Sequence, residues 1–367
     1  MQQSQVLRQL YHHSKPYNPH LLLGVRVIYI RLFHLSPPRL CDLSAFIQPS
    51  RLPYNAGIAM LKLHLDTDIG GDMDDLCALA MVLNWPGADL LGVTTNSDDG
   101  GRRAGYARFA LDLAGRSDVA VAAGADVAGD YYRVRPGFPA EGDYWPHPIP
   151  ALPSPHERAL DLLQSSIEQG ALIAVIGAYT NLALLERRAP GILHRADLYL
   201  MGGYIHPTRP GYPPWGNDMD WNIQVDVASA QFVLQRSNPV LVPLTVTVET
   251  WLRRAYLPAL RQGGPLARLI ARQAESFARD EKNEERLGRT CSALPDDIIN
   301  FQHDPLACAI ALGWRDGAEI AEVPLRFEVQ DSWLHEIIDP AGRPTRIVSR
   351  IDGARFSEFW LGTVAGV

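Results

Sequence analysis

LHLDTDIGGDMDDLCALAMVL, residues 63–83, places five aspartates, Asp66, Asp68, Asp72, Asp74 and Asp75, within ten positions, with an apolar segment on either side. Residues 61–65 alternate and then run apolar, as a strand does. Residues 69–71 form a glycine turn, and from Asp74 onward Leu76, Leu79, Ala80 and Leu83 recur at helical spacing. Strand, tight turn and helix in that order put the carboxylates at the C-terminal end of a strand and the N-terminus of a helix. Open α/β sheets take their ligands in that crevice. Carboxylates packed so closely raise one another's pKa or bind a cation, and an all-oxygen set suits a hard divalent ion. A purely structural reading also exists, with Asp72 as N-cap and Asp74 complementing the helix dipole. Capping does not need five aspartates.

Working outward, the same rhythm continues. Residues 89–95 read as a strand after the Pro86-Gly87 turn, 102–114 as a helix and 119–122 as a short strand. A helix over 156–169, a strand over 171–176, a helix opening at Thr180-Asn181 and a strand over 197–201 ending in Gly202-Gly203 follow. The expected fold class is α/β, a mainly parallel open sheet with helices on both faces and a Rossmann-like core. Residues 125–155 are rich in Pro, Gly and aromatics (Tyr131, Tyr132, Phe138, Tyr144, Trp145), too long for a simple connection, and are expected to form a lid. Residues 1–59 differ in kind: Arg8, Lys15, Arg26, Arg31, Arg39 and Arg51 stand against Asp42 alone. Their apolar stretch, 21–35, is broken by Arg26 and Arg31 and is too short to span a bilayer. The expectation is a poorly ordered N-terminal extension over 1–59 and a catalytic domain over 60–367.

The chain of 367 residues is 47% hydrophobic and 20% charged, with a formal net charge of −7, enough for a sizeable core. It carries no dense Lys/Arg stripe, which argues against nucleic acid or an anionic membrane as partner and favours a small molecule. Cys41, Cys77, Cys291 and Cys308 are widely spaced with no CxxC pair, so they read as reduced thiols, and the expected compartment is the cytoplasm.

Three further constellations carry chemistry. His303 and Asp304 precede Pro305 and an apolar helical run, an arrangement that as an N-cap alone is common. In WGNDMDWNIQVDVASAQFVL, residues 215–234, Asn217, Asp218, Asp220 and Asn222 precede a helix starting near Val227. Carboxylates and amides together suit sugar hydroxyls, which both donate and accept, although Asn and Asp also crowd ordinary loops. TTNSDDGG, residues 94–101, again closes a strand.

Taken in order, DTDIGGDMDDLCAL (66–79), LLGVTT (90–95), IGAYTNLALL (176–185), LYLMGG (198–203), DWNIQVDVASA (220–230) and HDPLACA (303–309) resemble the inosine-uridine-preferring nucleoside hydrolase family across roughly 61–367. The resemblance implies an α/β enzyme with Ca²⁺ at the floor of its site, which cleaves the N-glycosidic bond of ribonucleosides with water to give ribose and free base. By position it implies Asp68, Asp75 and Asp304 as carboxylate ligands and the Ile176 carbonyl as a backbone ligand. It further implies Asp74 as the base acting on a water at the ion, and His303 near the leaving base. Asn222 matches an amide that binds the sugar, Asp220 stands where the family often has Glu, and the family's sugar-binding Asn falls near Asp98 or Asp99. Two additional residues between Asp68 and the Asp74-Asp75 pair leave Asp72 open as the base. Tyr144, Trp145 and Trp251 are aromatics available to stack on a nucleobase. A homodimer or homotetramer is implied. Two rivals remain at this stage: an Mg²⁺ phosphatase of the haloacid dehalogenase type, using Asp66 and Asp68, and a nucleoside- or sugar-binding protein without turnover.

Overall fold

The computed structural model describes residues 60–126 and 138–367. The expectation for 1–59, and Tyr131 and Tyr132 of the expected lid, lie outside the described residues. The first unit is the expected one: strand β1 (Leu61–Thr67), helix α1 (Asp74–Asn84) and strand β2 (Ala88–Thr95). From Leu63 on, β1 is buried throughout, as a strand covered on both faces must be. Even its polar His64 is enclosed, its two ring nitrogens each 2.9 Å from a hydroxyl, Ser166 Oγ and Thr94 Oγ1.

Helix α2 (Arg102–Leu113), β3 (Ala120–Ala122), α3 (Glu141–Tyr144), α4 (His156–Glu168), β4 (Leu172–Val175), α5 (Thr180–Arg188) and β5 (Asp197–Met201) continue the alternation. Short helices α6 (Trp221–Gln224) and α7 (Val227–Leu234) lead to β6 (Val240–Val242) and α8 (Leu244–Thr247). Strand β7 (Trp251–Arg253), α9 (Leu257–Gln262) and the long α10 (Pro265–Glu281) precede β8 (Ile298–Phe301), which pairs antiparallel with β7. Helix α11 (His303–Ala311), the hairpin strands β9 (Ala318–Gln330) and β10 (Trp333–Ile338), β11 (Arg343–Ile351) and α12 (Gly353–Ala365) complete the chain.

The main sheet has nine strands in the order β10-β9-β11-β6-β5-β4-β1-β2-β3. From β3 to β11 every pairing is parallel, and β9 alone runs against the others, pairing antiparallel with both β11 and β10. The order β3-β2-β1-β4-β5-β6 is that of a doubly wound fold, whose switch point falls between β1 and β4. Alternate strand residues divide between two apolar clusters. Ala174, Val240 and Val242 join one that contains α1, α11 and α12; Ile173, Val175 and Leu241 join another that contains α4, α5 and α7. Helices therefore cover both faces, and the strand ends that carry the aspartates lie between them.

The lid expectation is corrected over its described part. Trp145 is buried and stacks on Tyr106 of α2, with ring centroids 4.4 Å apart and planes 4° from parallel. Phe109 meets Trp145 edge-on, and the Tyr144 hydroxyl donates to Asp280 on α10. Arg272 and Ser276 of α10 donate to the carbonyls of Gly142 and Asp143. Aromatic richness here serves packing against α2 and α10, which a single sequence does not distinguish from a mobile loop.

Candidate active site

Strand β1 delivers Asp66 and Asp68 to the switch point, and Gly70, at φ +103°, turns the chain into α1. That turn is tight: a Cβ on Gly70 would lie 2.3 Å from the Tyr106 ring. Asp74 and Asp75 open α1, and Asp304 sits in the first turn of α11, which packs alongside it. Carboxylate oxygens of Asp74, Asp75 and Asp304 all lie within 4.8 Å of one another, and all three residues are buried. Burial first, and then repulsion from neighbouring carboxylates (Asp72 and Asp75 on Asp74, Asp68 on Asp75, Asp74 and Asp75 on Asp304), pushes all three pKa values well up. Few donors relieve them: Thr67 Oγ1 donates to Asp75, and the Asp304 backbone N–H donates to Asp74 at 3.3 Å. An enclosed set of acceptors with so little hydrogen-bond compensation is the environment that a hard cation satisfies.

Asp68 is half-buried beside this trio, and its pKa too is raised by burial, against the pull of the Arg103 guanidinium. A Cβ on Gly177 would fall 2.8 Å from Asp68 Oδ1, so that carboxylate lies over the peptide that follows Ile176. Ile176 itself is buried just past β4, with its N–H donating to the Asp66 carbonyl at 2.8 Å. Asp68 and Ile176 thus meet across the switch point, while Asp74, Asp75 and Asp304 group on the helix side. Asp72 is exposed and accepts from Asn300 Nδ2 at 2.6 Å.

Asp66 has a different environment. It accepts from Asn96 Nδ2 at 2.7 Å and from Asn181 Nδ2 at 3.1 Å, and burial raises its pKa to about 7 against those bonds. Asn96 Oδ1 in turn accepts the Ala178 N–H, and Asn181 Oδ1 the Ala125 N–H. Arg103, fully buried, donates through Nη1 to the carbonyls of Asp68 and Ile69 and through Nε to that of Ser97. Sequence reasoning missed Asn96, Asn181 and Arg103. Asn96 lay inside a strand-end motif already singled out, but its partners are remote in sequence.

The sugar-side candidates separate. Asp99 is exposed on a 3-10 turn, whereas its neighbour Asp98 is buried and caps α2 by accepting from the N–H groups of Arg103 and Ala104. Asp220 is buried as the N-cap of α6, accepting from Ile223 and Gly203 N–H, and burial raises its pKa to about 6. Asn222 is buried beside the end of β5, with Nδ2 donating to the Met201 carbonyl at 3.3 Å. His303 is half-buried next to Asp304, with Nδ1 2.7 Å from Thr247 Oγ1. Burial pushes its pKa down to about 3, so the ring is a neutral imidazole near neutral pH. Phe301 tilts against it at 5.2 Å, and half-buried Trp215 meets Phe301 edge-on at 5.1 Å. Trp145 and Tyr144 are core residues, as above; Trp251 is half-buried on β7.

A doubly wound sheet with buried, convergent carboxylates at its switch point defines an α/β protein with a candidate ligand site there. The chain belongs to the inosine-uridine preferring nucleoside hydrolase family, whose model matches residues 63–358. It is 26% identical over 312 residues to the pyrimidine-specific ribonucleoside hydrolase RihA of Salmonella arizonae, covering 80% of this chain and 88% of that one. An uncharacterized protein of Schizosaccharomyces pombe is 32% identical over 200 residues, which span 51% of this chain and 62% of that protein. Among solved structures, a plant nucleoside hydrolase superposes with a TM-score of 0.68 at 17% identity, over 84% of this chain and all of that one (100%). A purine-preferring ribonucleoside hydrolase from Gardnerella vaginalis gives 0.66 at 20% identity, over 83% and 98%. At these identities the superpositions speak for the fold.

Proposed function

We propose that the protein hydrolyses the N-glycosidic bond of ribonucleosides with Ca²⁺ bound at the crevice floor, releasing ribose and the free base. The observation that carries this reading is the convergence of Asp74, Asp75 and Asp304, from two helices far apart in sequence, within 4.8 Å. The donor set fits the ion: carboxylates of Asp68, Asp75 and Asp304 with the Ile176 carbonyl offer oxygen alone. When bound, such a cation polarises water and ribose hydroxyls and offsets the carboxylate repulsion.

The chain's own residues supply the remaining chemistry. N-riboside cleavage develops positive charge on the sugar ring, which the surrounding carboxylates accommodate. Asp74 takes the proton from the attacking water as general base. The grouping of Asp74 with Asp75 and Asp304 favours a second assignment, in which Asp74 serves as ligand and Asp68 as base. Calcium titration of Asp74→Asn and Asp68→Asn separates the two, since only loss of a ligand weakens affinity. Asn222 and Asp220, at the end of β5, are assigned to the sugar, and Asp99 with them. His303 is assigned to the leaving base.

The functional domain in this reading is 60–367, and a purified 60–367 chain that fails to fold refutes that boundary. The cytoplasm is the proposed compartment, supported by the free, buried thiols of Cys77, Cys291 and Cys308. No helix among the described residues is long and apolar enough to cross a membrane. A homodimer or homotetramer is proposed from the family. A reducing-sugar assay over a panel of purine and pyrimidine ribonucleosides, with and without chelator, tests the activity. Sugar release that chelator abolishes supports it. Tight nucleoside binding without sugar release makes the protein a sensor, and phosphate release from a generic ester makes it a phosphatase.

A further inference from the structure

Asn222 is held at one end of its amide only. Nδ2 donates to the Met201 carbonyl at 3.3 Å and lies 3.0 Å from Met201 Sδ, while Oδ1 accepts from no group among the described residues. That oxygen is the acceptor left for a sugar hydroxyl, so the placement of α6 decides where it points. Helix α6 has four residues, too few to hold a position of its own, and tertiary bonds have to place it. Two sets of them do so. At its N-terminus Asp220 accepts from the Gly203 and Ile223 N–H groups. At its C-terminus Gln224, 3% exposed, reaches across to β10: Nε2 donates to the Leu334 carbonyl at 2.8 Å, and Oε1 accepts the Leu334 N–H at 3.0 Å. Leu334 is fully buried on an edge strand of the sheet. The Gln224 amide therefore stands where a neighbouring strand's peptide would stand, and satisfies the edge at that residue. Asn217, just before α6, adds its Nδ2 to the same carbonyl at 3.3 Å.

We propose that Gln224 is a positioning residue that ties α6 to the Leu334 backbone of β10 and thereby aims Asn222 at the sugar. This rests on the N-riboside hydrolase reading. The clamp gives the C-terminal hairpin, 110 positions further along the chain, control of a contact at the end of β5. The part of the ligand it serves is the pentose hydroxyl that meets Asn222 Oδ1, so it acts alike on purine and pyrimidine ribosides. The bond is made before and during C–N cleavage, which places its effect in binding rather than in turnover.

The test uses the full chain and a panel of ribonucleosides. Gln224→Met keeps the shape of the side chain and removes both bonds. It is expected to raise KM about threefold to thirtyfold, by a similar factor on purine and pyrimidine ribosides, with kcat within about twofold. In an Asn222→Ala background the same substitution is expected to cost less than about twofold in kcat/KM, because the contact it aims is already gone. Losses that multiply, or a loss confined to one class of base, overturn the proposal. Leu325→Val, a packing change on β9 in the same apolar cluster as Leu334, is expected to lower the denaturation midpoint and leave KM unchanged. A matching rise in KM there reduces Gln224 to general stability and overturns the proposal. Spectra of nitrogen-15 labelled asparagine follow the aim directly, the Asn222 side-chain signals being identified by their loss in Asn222→Ala. They are expected to move in Gln224→Met and to stay in place in Leu325→Val; an Asn222 amide unmoved in Gln224→Met overturns the proposal. Gln224→Asn, which draws the amide back by one methylene, is read in the same way if Gln224→Met does not fold. If the wild type releases no sugar, the hydrolase reading fails, while the spectra still decide the positioning.

Discussion

Two groups of buried acids lie on strands of the same sheet and beside them, and they are built differently. At β5 and β10, Asp220 accepts two backbone N–H groups, from Gly203 and Ile223, and Glu336 accepts the next one along, from Tyr204. These carboxylates fasten a loop, which for Asp220 is in addition to the role toward the sugar assigned above. At β1 and α1, Asp74 and Asp75 each have one donor and repel one another and Asp304. Asp66, a few ångströms of chain away, is of the first kind, since Asn96 and Asn181 both donate to it. Burial with few donors does not by itself mark a ligand site, since Glu336 too has one donor; the convergence of three carboxylates does.

The contrast can be broken most sharply by activity. Asp74→Ala should leave the fold intact and lower ribonucleoside turnover by on the order of 10² to 10⁴, the scale of a lost general base. Near-normal turnover would move that role to Asp68 or Asp72. Calcium at about a hundred times its dissociation constant should stabilise the wild type by ~2.7 kcal/mol in chemical denaturation. Asp75→Ala and Asp304→Ala should lose most of that gain, and unchanged affinity in calorimetric titration rejects both as ligands. Asp66→Ala, by contrast, should cost about 2 kcal/mol with or without calcium, because it strands buried amide donors. A calcium-dependent loss would place Asp66 among the ligands instead.

A last effect concerns the loop-fastening pair. Burial, with Asp220 nearby, raises Glu336 to about 8, so between its ordinary value and that one the folded chain holds a proton the unfolded chain has released. Stability from this group is therefore greatest in mild acid and falls as pH rises from about 5 to 8. Glu336→Gln should flatten that decline in urea melts of the chelated protein; an unaltered slope assigns it to other groups.

The parallel sheet was legible because its signals are local: the glycine turn after β1, the apolar spacing of α1 and the Gly202-Gly203 stop after β5 all stand in short windows of sequence. The carboxylates were legible for the same reason. What failed needed tertiary information. Trp145 and Tyr144 looked like lid residues until Tyr106 and Asp280 were seen beside them. Asp99 and Asp98 are adjacent in sequence, yet only Asp98 is buried, as the cap of α2. Arg103, a buried cation bonded to the backbone of the aspartate turn, had no sequence signal to separate it from Arg102.

Asn181 bonds at once to Asp66 on β1, to the Thr95 carbonyl on β2 and to the Ala125 N–H after β3. A single amide that pins three neighbouring segments leaves no route for one of them to peel away alone. The Ala125 amide proton should then exchange with deuterium only when the whole domain opens, at a rate governed by global unfolding. Asn181→Ala would let that edge of the floor breathe independently.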